Sequence, residues 1–414
     1  WLGLEWDEGV GKGGPHGSYR QSDRLDHYAD LARGLVDSGH AYYDDRSAAE
    51  LDELRNRAQQ EGKHPGHYIR RPDVERTEGV IRVSIPNDGP VEFTDLIRGH
   101  LSFAPADIDD FVILRSNGVP TYHLASTVDD VEYEVTHVAR GEDILPSTPK
   151  HILLTRALEA TEPVYAHLPL LFGTDGKKLS KRHGATALSE YRDAGFLADA
   201  MFNYLAILGW APDGETTIFD RDRAVAEFDL VDVSRNPAAF DPDKLAWMNG
   251  EYIRSMDESV FADMVRPIVE SELGRPLDAG EWDTFRSVAP LVQERTKLLP
   301  EAGTQVVFLF DDFDTYDAES WDKVMTKDGV AQVLDAGLEA VEAVDPWSVE
   351  TVEAALRAIP ERLGIGAGKT FQPLRVAVTG SSVSPPLFES IAALGRERTL
   401  ERLRRASAEL ATQS

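Results

Sequence analysis

The periodicity of this chain changes once, and the change divides what it can fold into. Beyond residue 258 apolar residues recur at helical spacing, with amphipathic stretches at 258–274, 280–298, 329–343 and 349–360. Before it, short apolar or alternating runs alternate with helical ones and are punctuated by Gly, Pro, Asn and Asp, the pattern of an α/β region. A chain of 414 residues has room for about two to four domains with real cores.

Within the first part, residues 1–21 are glycine-rich and loop-like. Ser22 is placed to cap the helix that follows, in which Leu25, Tyr28, Leu31 and Leu35 share a face and Gly39 marks the end. A second helix is predicted from about Ser47 to Gln60. Residues 80–85 alternate, 87–90 turn and 91–94 return, all in a β-rich stretch spanning 79–104. A run at 111–114 and a turn at 116–118 precede 121–125. Residues 135–138 are a candidate buried strand, with Arg140 just beyond its end. Ser147-Thr148-Pro149 then opens an apolar helix to about Leu158.

One stretch carries chemistry by itself. Residues 168–172 read as a short buried strand and Thr174-Asp175-Gly176 as a turn. Lys177, Lys178, Lys181 and Arg182 follow, with Ser180 among them. The whole chain has eleven lysines, so three here are a concentration. A cationic loop at a strand end suits neutralising a phosphate chain as it is attacked. Taken alone it fits a solvated basic turn better. Ligands of open α/β sheets bind outside the carboxyl ends of strands, which places both this loop and Arg140 well. In contrast, 364–368, Gly-Ile-Gly-Ala-Gly, reads as a tight turn between helices because no strand precedes it.

Composition limits the rest. There is no cysteine, so neither a disulfide nor a thiolate zinc site can form, which fits a reducing cytoplasm. No apolar run approaches the ~20 residues of a membrane span. A net charge of −29 repels polyanions at long range, so a nucleic-acid partner requires cations gathered on one face, or acidity that is an adaptation to high salt. The excess of 32 arginines over 11 lysines and the acidic run at 311–314 are consistent with the second idea.

Seven stretches, in order along the chain, together resemble the bacterial glutamyl-tRNA synthetases, class I aminoacyl-tRNA synthetases. They are Gly14-Pro-His-Gly-Ser-Tyr-Arg-Gln-Ser22; 118–125 with 128–130; Thr136-His-Val-Ala-Arg-Gly-Glu-Asp143 with 147–149; Lys178-Leu-Ser-Lys-Arg182; Phe202-Asn-Tyr-Leu-Ala-Ile-Leu-Gly-Trp210; 240–244 with 247–250; and 371–375 with 378–380. The resemblance implies an α/β fold: an incomplete Rossmann-type catalytic domain with an inserted α/β acceptor-end domain, followed by an all-α anticodon-binding region. The implied limits are 1–21 for a remnant of the first catalytic half, 22–117 for the insert, 118–170 for the second half, 171–257 for the signature loop and stem-contact region, and 258–414 for the helical region. It implies that ATP and L-glutamate form glutamyl adenylate and that tRNA-Glu then takes the glutamyl group, with Mg2+ bridging the phosphates. Lys178, Ser180, Lys181 and Arg182 match the family's second signature, with Lys181 the principal phosphate cation and Lys178 beside it. Arg140 matches a residue that binds a glutamate carboxylate, a task suited to the guanidinium fork. Tyr122 matches one that hydrogen-bonds the amino acid, and Ser126 stands where some members have Asn. Arg295 and Lys297, read as lying on one helix, and the arginines of 396–405 are candidate tRNA contacts. The implied enzyme is cytoplasmic and monomeric, and without cysteine it carries no zinc.

The family's first ATP signature has no good counterpart. His64-Pro-Gly-His67 fits its letters, but a charged helix precedes it and Pro72 follows, whereas the signature follows a strand and opens a helix. Since the first residue is Trp1, we expect an N-terminally incomplete synthetase that is inactive alone. The competing reading is a non-catalytic tRNA-binding protein that uses the helical region. A shortened synthetase-like enzyme lacks that region, and glutaminyl-tRNA synthetases typically carry a β-barrel there, so both are disfavoured.

Overall fold

The computed structural model describes residues 1–179, 187–313 and 315–413. They form two compact units, Trp1–His183 with Leu205–Phe240, and Gly184–Tyr204 with Asp241–Ser414.

The first unit holds nine strands among the described residues: β1 (Ala41–Asp44), β2 (Val80–Val83), β3 (Val91–Asp95), β4 (Gly99–Phe103), β5 (Val112–Leu114), β6 (His137–Gly141), β7 (Val164–Leu168), β8 (Leu171–Gly173) and β9 (Ala238–Phe240). They make three sheets, ordered β1-β2-β5, β4-β3-β7-β6 and β8-β9. In the second sheet β3, β7 and β6 run parallel and β4 is an antiparallel edge. Helices α1 (Leu25–Asp37), α2 (Ala48–Gln60), α3 (Tyr122–Glu132) and α4 (Thr148–Ala157) accompany them. One core joins Tyr28 and Leu35 of α1, Ile81 and Ile113, Leu124 of α3, Ile152 of α4 and Tyr165 of β7.

The α2 start follows the local signal: Ser47 accepts from Glu50 N and the Glu50 carboxylate returns to Ser47 N, a capping box. The α1 start does not. Ser22 lies in a 3-10 turn, Gln21–Asp23, and its hydroxyl goes to Asp23; Arg24 occupies the cap position without a side-chain cap. The adjacent carboxylate competes for that hydroxyl, and Leu25 is exposed rather than on the buried face. Residues 91–94 return, but not onto 80–83. Both edges of β2 are taken, by β1 and β5, and β3 pairs with β4 and β7 instead. The run 168–172 is broken by Pro169 into the end of β7 and β8, with Leu170 N bonded to the Glu142 carboxylate at 3.0 Å. β6 extends through Arg140, which therefore sits inside the strand, and the strand is half-exposed rather than buried.

The second unit is helical among its described residues. Its longer helices include Pro242–Ser255, Glu258–Leu273, Ala279–Gln293, Val330–Glu342, Val349–Leu363, Ala367–Thr379 and Arg396–Gln413. Phe261, Phe285, Val292, Leu334, Leu356, Leu374 and Leu403 meet in one core. Gly364 ends a helix at φ 65°, a left-handed conformation that glycine adopts without steric cost, so the 364–368 segment is a turn between helices as its sequence suggests. The helix expected through 298 stops at Gln293. The Glu301 carboxylate accepts from Lys297 N and Leu298 N and begins a new helix, Leu299–Val306, so Arg295 and Lys297 lie in the intervening turn. Among the described residues no helix is long and apolar enough to cross a membrane.

Candidate functional site

The carboxyl ends of three parallel strands converge. Asp95 closes β3, His167 is the penultimate residue of β7, and Arg140 on β6 is the register partner of His167. Thr148 begins α4 and His151 follows within its first turn; Tyr122 and His123 begin α3, with Ser126 one turn further on.

Arg140 is at the centre. Its Nε donates to His167 Nε2 at 3.0 Å, one terminal nitrogen donates to Thr148 Oγ1 at 2.9 Å, and the other is 3.4 Å from His151 Nδ1. The guanidinium lies 5.5 Å from the Tyr165 ring centre. His167 passes the contact inward: its Nδ1 is 2.6 Å from an Asp95 carboxylate oxygen, and both side chains are fully buried. The other Asp95 oxygen accepts from the backbone N–H groups of Ile97, Arg98 and His167. Since the ionised carboxylate only accepts, it sets the tautomer: Nδ1 carries the proton and Nε2 offers a lone pair to Arg140. His151 Nε2 is 3.1 Å from His123 Nδ1, which extends the chain to α3.

The histidines are neutral. Burial pushes His151 down to about 3 and His123 to about 4, and it lowers His167 against the opposing pull of Asp95. Burial also pushes the Asp130 carboxyl up to about 6, with Arg140 opposing the shift. Neutral acceptors satisfy Arg140's donors without cancelling its charge. Of the acids that follow it in the chain, Glu142 pairs with Arg98 at 2.5 Å and Asp143 with Lys178 at 3.8 Å. Among the described residues Arg140 has no carboxylate in ion-pair range, so it forms no structural pair with Glu142 or Asp143. A fixed, half-buried guanidinium with no ion-pair partner among the described residues can take a carboxylate.

Tyr122, 49% exposed, stands beside this cluster with its ring 5.4 Å from that of His151. Ser126 is half-buried on the same helix face. Lys178 is presented by a tight return after β8: Gly173 N donates to Lys177 O at 2.8 Å and Leu179 N to Leu171 O at 2.9 Å, with Gly176 at φ 71° in the turn. Its ammonium is mostly exposed. Ser180, Lys181 and Arg182 lie outside the described residues. Arg295 and Lys297 are exposed in their turn.

Three further features bear on the site. Pro65–His67 is a 3-10 turn after α2 capped by His64, whose Nδ1 accepts from Gly66 N at 3.0 Å. A Cβ on Gly66 would lie 2.5 Å from Ala106 O, so this glycine serves close packing. The arginines of the last helix are engaged in structure: Arg398, Arg402 and Arg405 bond the carbonyls of Leu309, Phe308 and Phe313. Among the described residues no group of three or more His, Cys, Asp or Glu could hold a metal ion.

Sequence reasoning found Arg140 but missed Asp95, Thr148, His151 and His167, which hold it. A faint signal exists: four of the eleven histidines fall between 123 and 167. Nothing local says which of them face one another.

Comparison with known proteins gives concordant results. The family of class I tRNA synthetases (E and Q), catalytic domain, matches residues 1–247, and an anticodon binding domain matches 260–407. A glutamate–tRNA ligase of Dehalococcoides mccartyi is 44% identical over 99% of this chain and 85% of its own length. That of Moorella thermoacetica is 40% identical over 98% and 86%. The crystal structure of a glutamate tRNA ligase from Elizabethkingia meningosepticum, in complex with its amino acid, superposes with a TM-score of 0.82 at 29% identity, covering 99% of this chain and 88% of that one.

Proposed function

This chain belongs to the glutamate–tRNA ligases, class I aminoacyl-tRNA synthetases, and from that premise we propose how its residues divide the work. A glutamate carboxylate oxygen attacks the α-phosphorus of ATP, the bond to the bridging oxygen breaks, and pyrophosphate leaves. A terminal ribose hydroxyl of tRNA-Glu then attacks the glutamyl carbonyl and AMP leaves.

Arg140 binds a carboxylate of glutamate. The observation that carries this reading is its set of partners, two neutral histidines and a threonine with no acid. Tyr122 hydrogen-bonds the amino acid, and Ser126 lies on the same helix face. Lys181, with Lys178, Ser180 and Arg182, neutralises the phosphates as pyrophosphate departs. Mg2+ enters with ATP as part of the substrate. Without cysteine the protein carries no thiolate zinc site, and we take it to act as a cytoplasmic monomer. Arg295 and Lys297 are exposed and available to tRNA phosphates.

The domain limits that suit this division are 1–21, 22–117, 118–170, 171–257 and 258–414. The 414 residues contain no good match to the family's first ATP signature, and His64–His67 is a packing turn. By themselves they therefore do not form the adenylate. The test is attachment of labelled glutamate to tRNA by this chain alone and by the chain joined to the first-signature segment of a relative. Charging by the joined protein alone is expected. Charging by the 414 residues would refute their inactivity, and none by either would refute the ligase reading. The non-catalytic alternative loses its Arg-rich helix to internal bonds.

A further inference from the structure

We propose that a cleft in the helical unit, lined by Lys323, Lys327 and Lys369, cradles a stretch of the tRNA phosphodiester backbone. This rests on the ligase reading and adds to it a site that the sequence did not suggest. The cleft has a volume of about 1060 Å³ and lies between the turn leading to Val330–Glu342 and the glycine turn that opens Ala367–Thr379.

Its charge sets it apart. Three of the chain's eleven lysines line it, in a protein with 72 acidic residues against 43 lysines and arginines. Asp328 is the one acid in the lining. The three lysines are exposed, and among the described residues none of their ammonium groups has an ion pair or a side-chain hydrogen bond. Arginines of the same unit behave differently: Arg266 pairs with Glu270, Arg286 with Asp283 and Arg404 with Glu342. Where acids are so abundant, three cations without ion pairs around one hollow raise its positive potential, and an anion entering it is attracted.

The backbone around the cleft fits the same ligand. Val330–Glu342 and Ala367–Thr379 both begin at a glycine with no capping side chain; Val330 N and Lys369 N donate back to Lys327 O and Gly366 O, and the positive end of each helix favours an anion. A Cβ on Gly366 or Gly368 would meet nothing within 4 Å, so the turn is open to a ligand. Lysine is a point-charge phosphate binder. No aromatic side chain lines the cleft, which leaves bases without a stacking platform and points to the sugar–phosphate backbone. All three lysines fall within 260–407, the segment matching an anticodon binding domain.

The experiment is tRNA binding to the full chain as a function of salt. In the triple variant Lys323→Gln, Lys327→Gln, Lys369→Gln the Kd should rise about tenfold near 0.1 M salt, and the log–log salt slope should fall by about 2. The triple lysine-to-arginine variant should keep both near wild type. A charge-matched control, Arg266→Gln, Arg286→Gln, Arg404→Gln, should change the Kd by less than about twofold. An unchanged Kd and slope in the lysine variant overturns the proposal, as does an equal loss in the control, which would mean bulk charge. Loss of tripolyphosphate binding with tRNA binding intact also overturns it, in favour of a small-anion site. Failure of the wild type to bind tRNA at all overturns instead the ligase reading on which the proposal rests.

Discussion

Two arginines, one in each unit, show how surroundings decide the use of a charge. Arg402 in the helical unit is 2% exposed. It donates to the carbonyls of Val378, Phe308 and Asp311 and to the Asp312 carboxylate at 2.9 Å. Arg140 donates only to neutral side chains, His167, His151 and Thr148. The first has its charge answered by an acid and tethers the 308–313 turn to the last helix. The second is held as firmly but keeps its charge. An arginine with a built-in carboxylate is structural, and one whose donors are met by neutral acceptors is ready for a carboxylate brought by a ligand.

The comparison can be broken at several points. The largest effect is expected from Arg140→Ala. Affinity for L-glutamate, read by calorimetry, should fall about a hundredfold, or about 3 kcal/mol, with the melting temperature nearly unchanged. An unaffected glutamate Kd would remove Arg140 from the site. Arg402→Met should do the reverse, costing about 2–3 kcal/mol in chemical denaturation by leaving buried carbonyls unpaired, with glutamate affinity intact.

A smaller effect tests the support behind Arg140. In Asp95→Asn the amide can donate to His167 Nδ1, which moves the ring proton to Nε2, against Arg140 Nε–H. Glutamate affinity should fall about tenfold, and His167→Gln, whose amide oxygen can accept from Arg140, should retain more affinity than His167→Leu. Equal losses in the two histidine variants would mean a packing role alone.

The smallest effect is on pH dependence. His151 and His123 are held near 3 and 4, below the unfolded value of about 6.5. The unfolded chain therefore binds more protons between these limits, and their contribution, complete above about 6.5, is lost as pH falls. Asp130 acts oppositely. Its folded pKa of about 6 lies above the unfolded value of about 3.9, so its contribution is present at low pH and lost as pH rises through 6. Asp130→Asn should thus steepen the rise of stability between about pH 4 and 6 by up to one proton. An unchanged slope in urea denaturation across that window would show that Asp130 does not take up its proton on folding.

How much could be read in advance depended on the range of the deciding interaction. The start of α2 near Ser47 was legible, because its cap with Glu50 is an exchange within four residues. The glycine turn at 364–368 and the apolar periodicity beyond 258 were legible for the same reason. Ser22 was misread because an adjacent acid competed for its hydroxyl. The return of 91–94 was misread because the strands that occupy both edges of β2 come from elsewhere in the chain. Arg295 and Lys297 left their expected helix because Glu301, downstream, caps a new one.

By itself the sequence determined the family, through motifs whose order survives any detail of packing. It determined the division into an α/β part and a helical part, because periodicity is a local property. It also singled out Arg140 and the Lys178–Arg182 loop as candidates. Only the tertiary structure decided that Arg140 has no carboxylate in ion-pair range among the described residues, that Asp95 orients His167 across 72 residues, and that Lys323, Lys327 and Lys369 line a common hollow. The reason is physical: a charge's role depends on which groups lie within a few ångströms of it, and those groups come from distant parts of the chain.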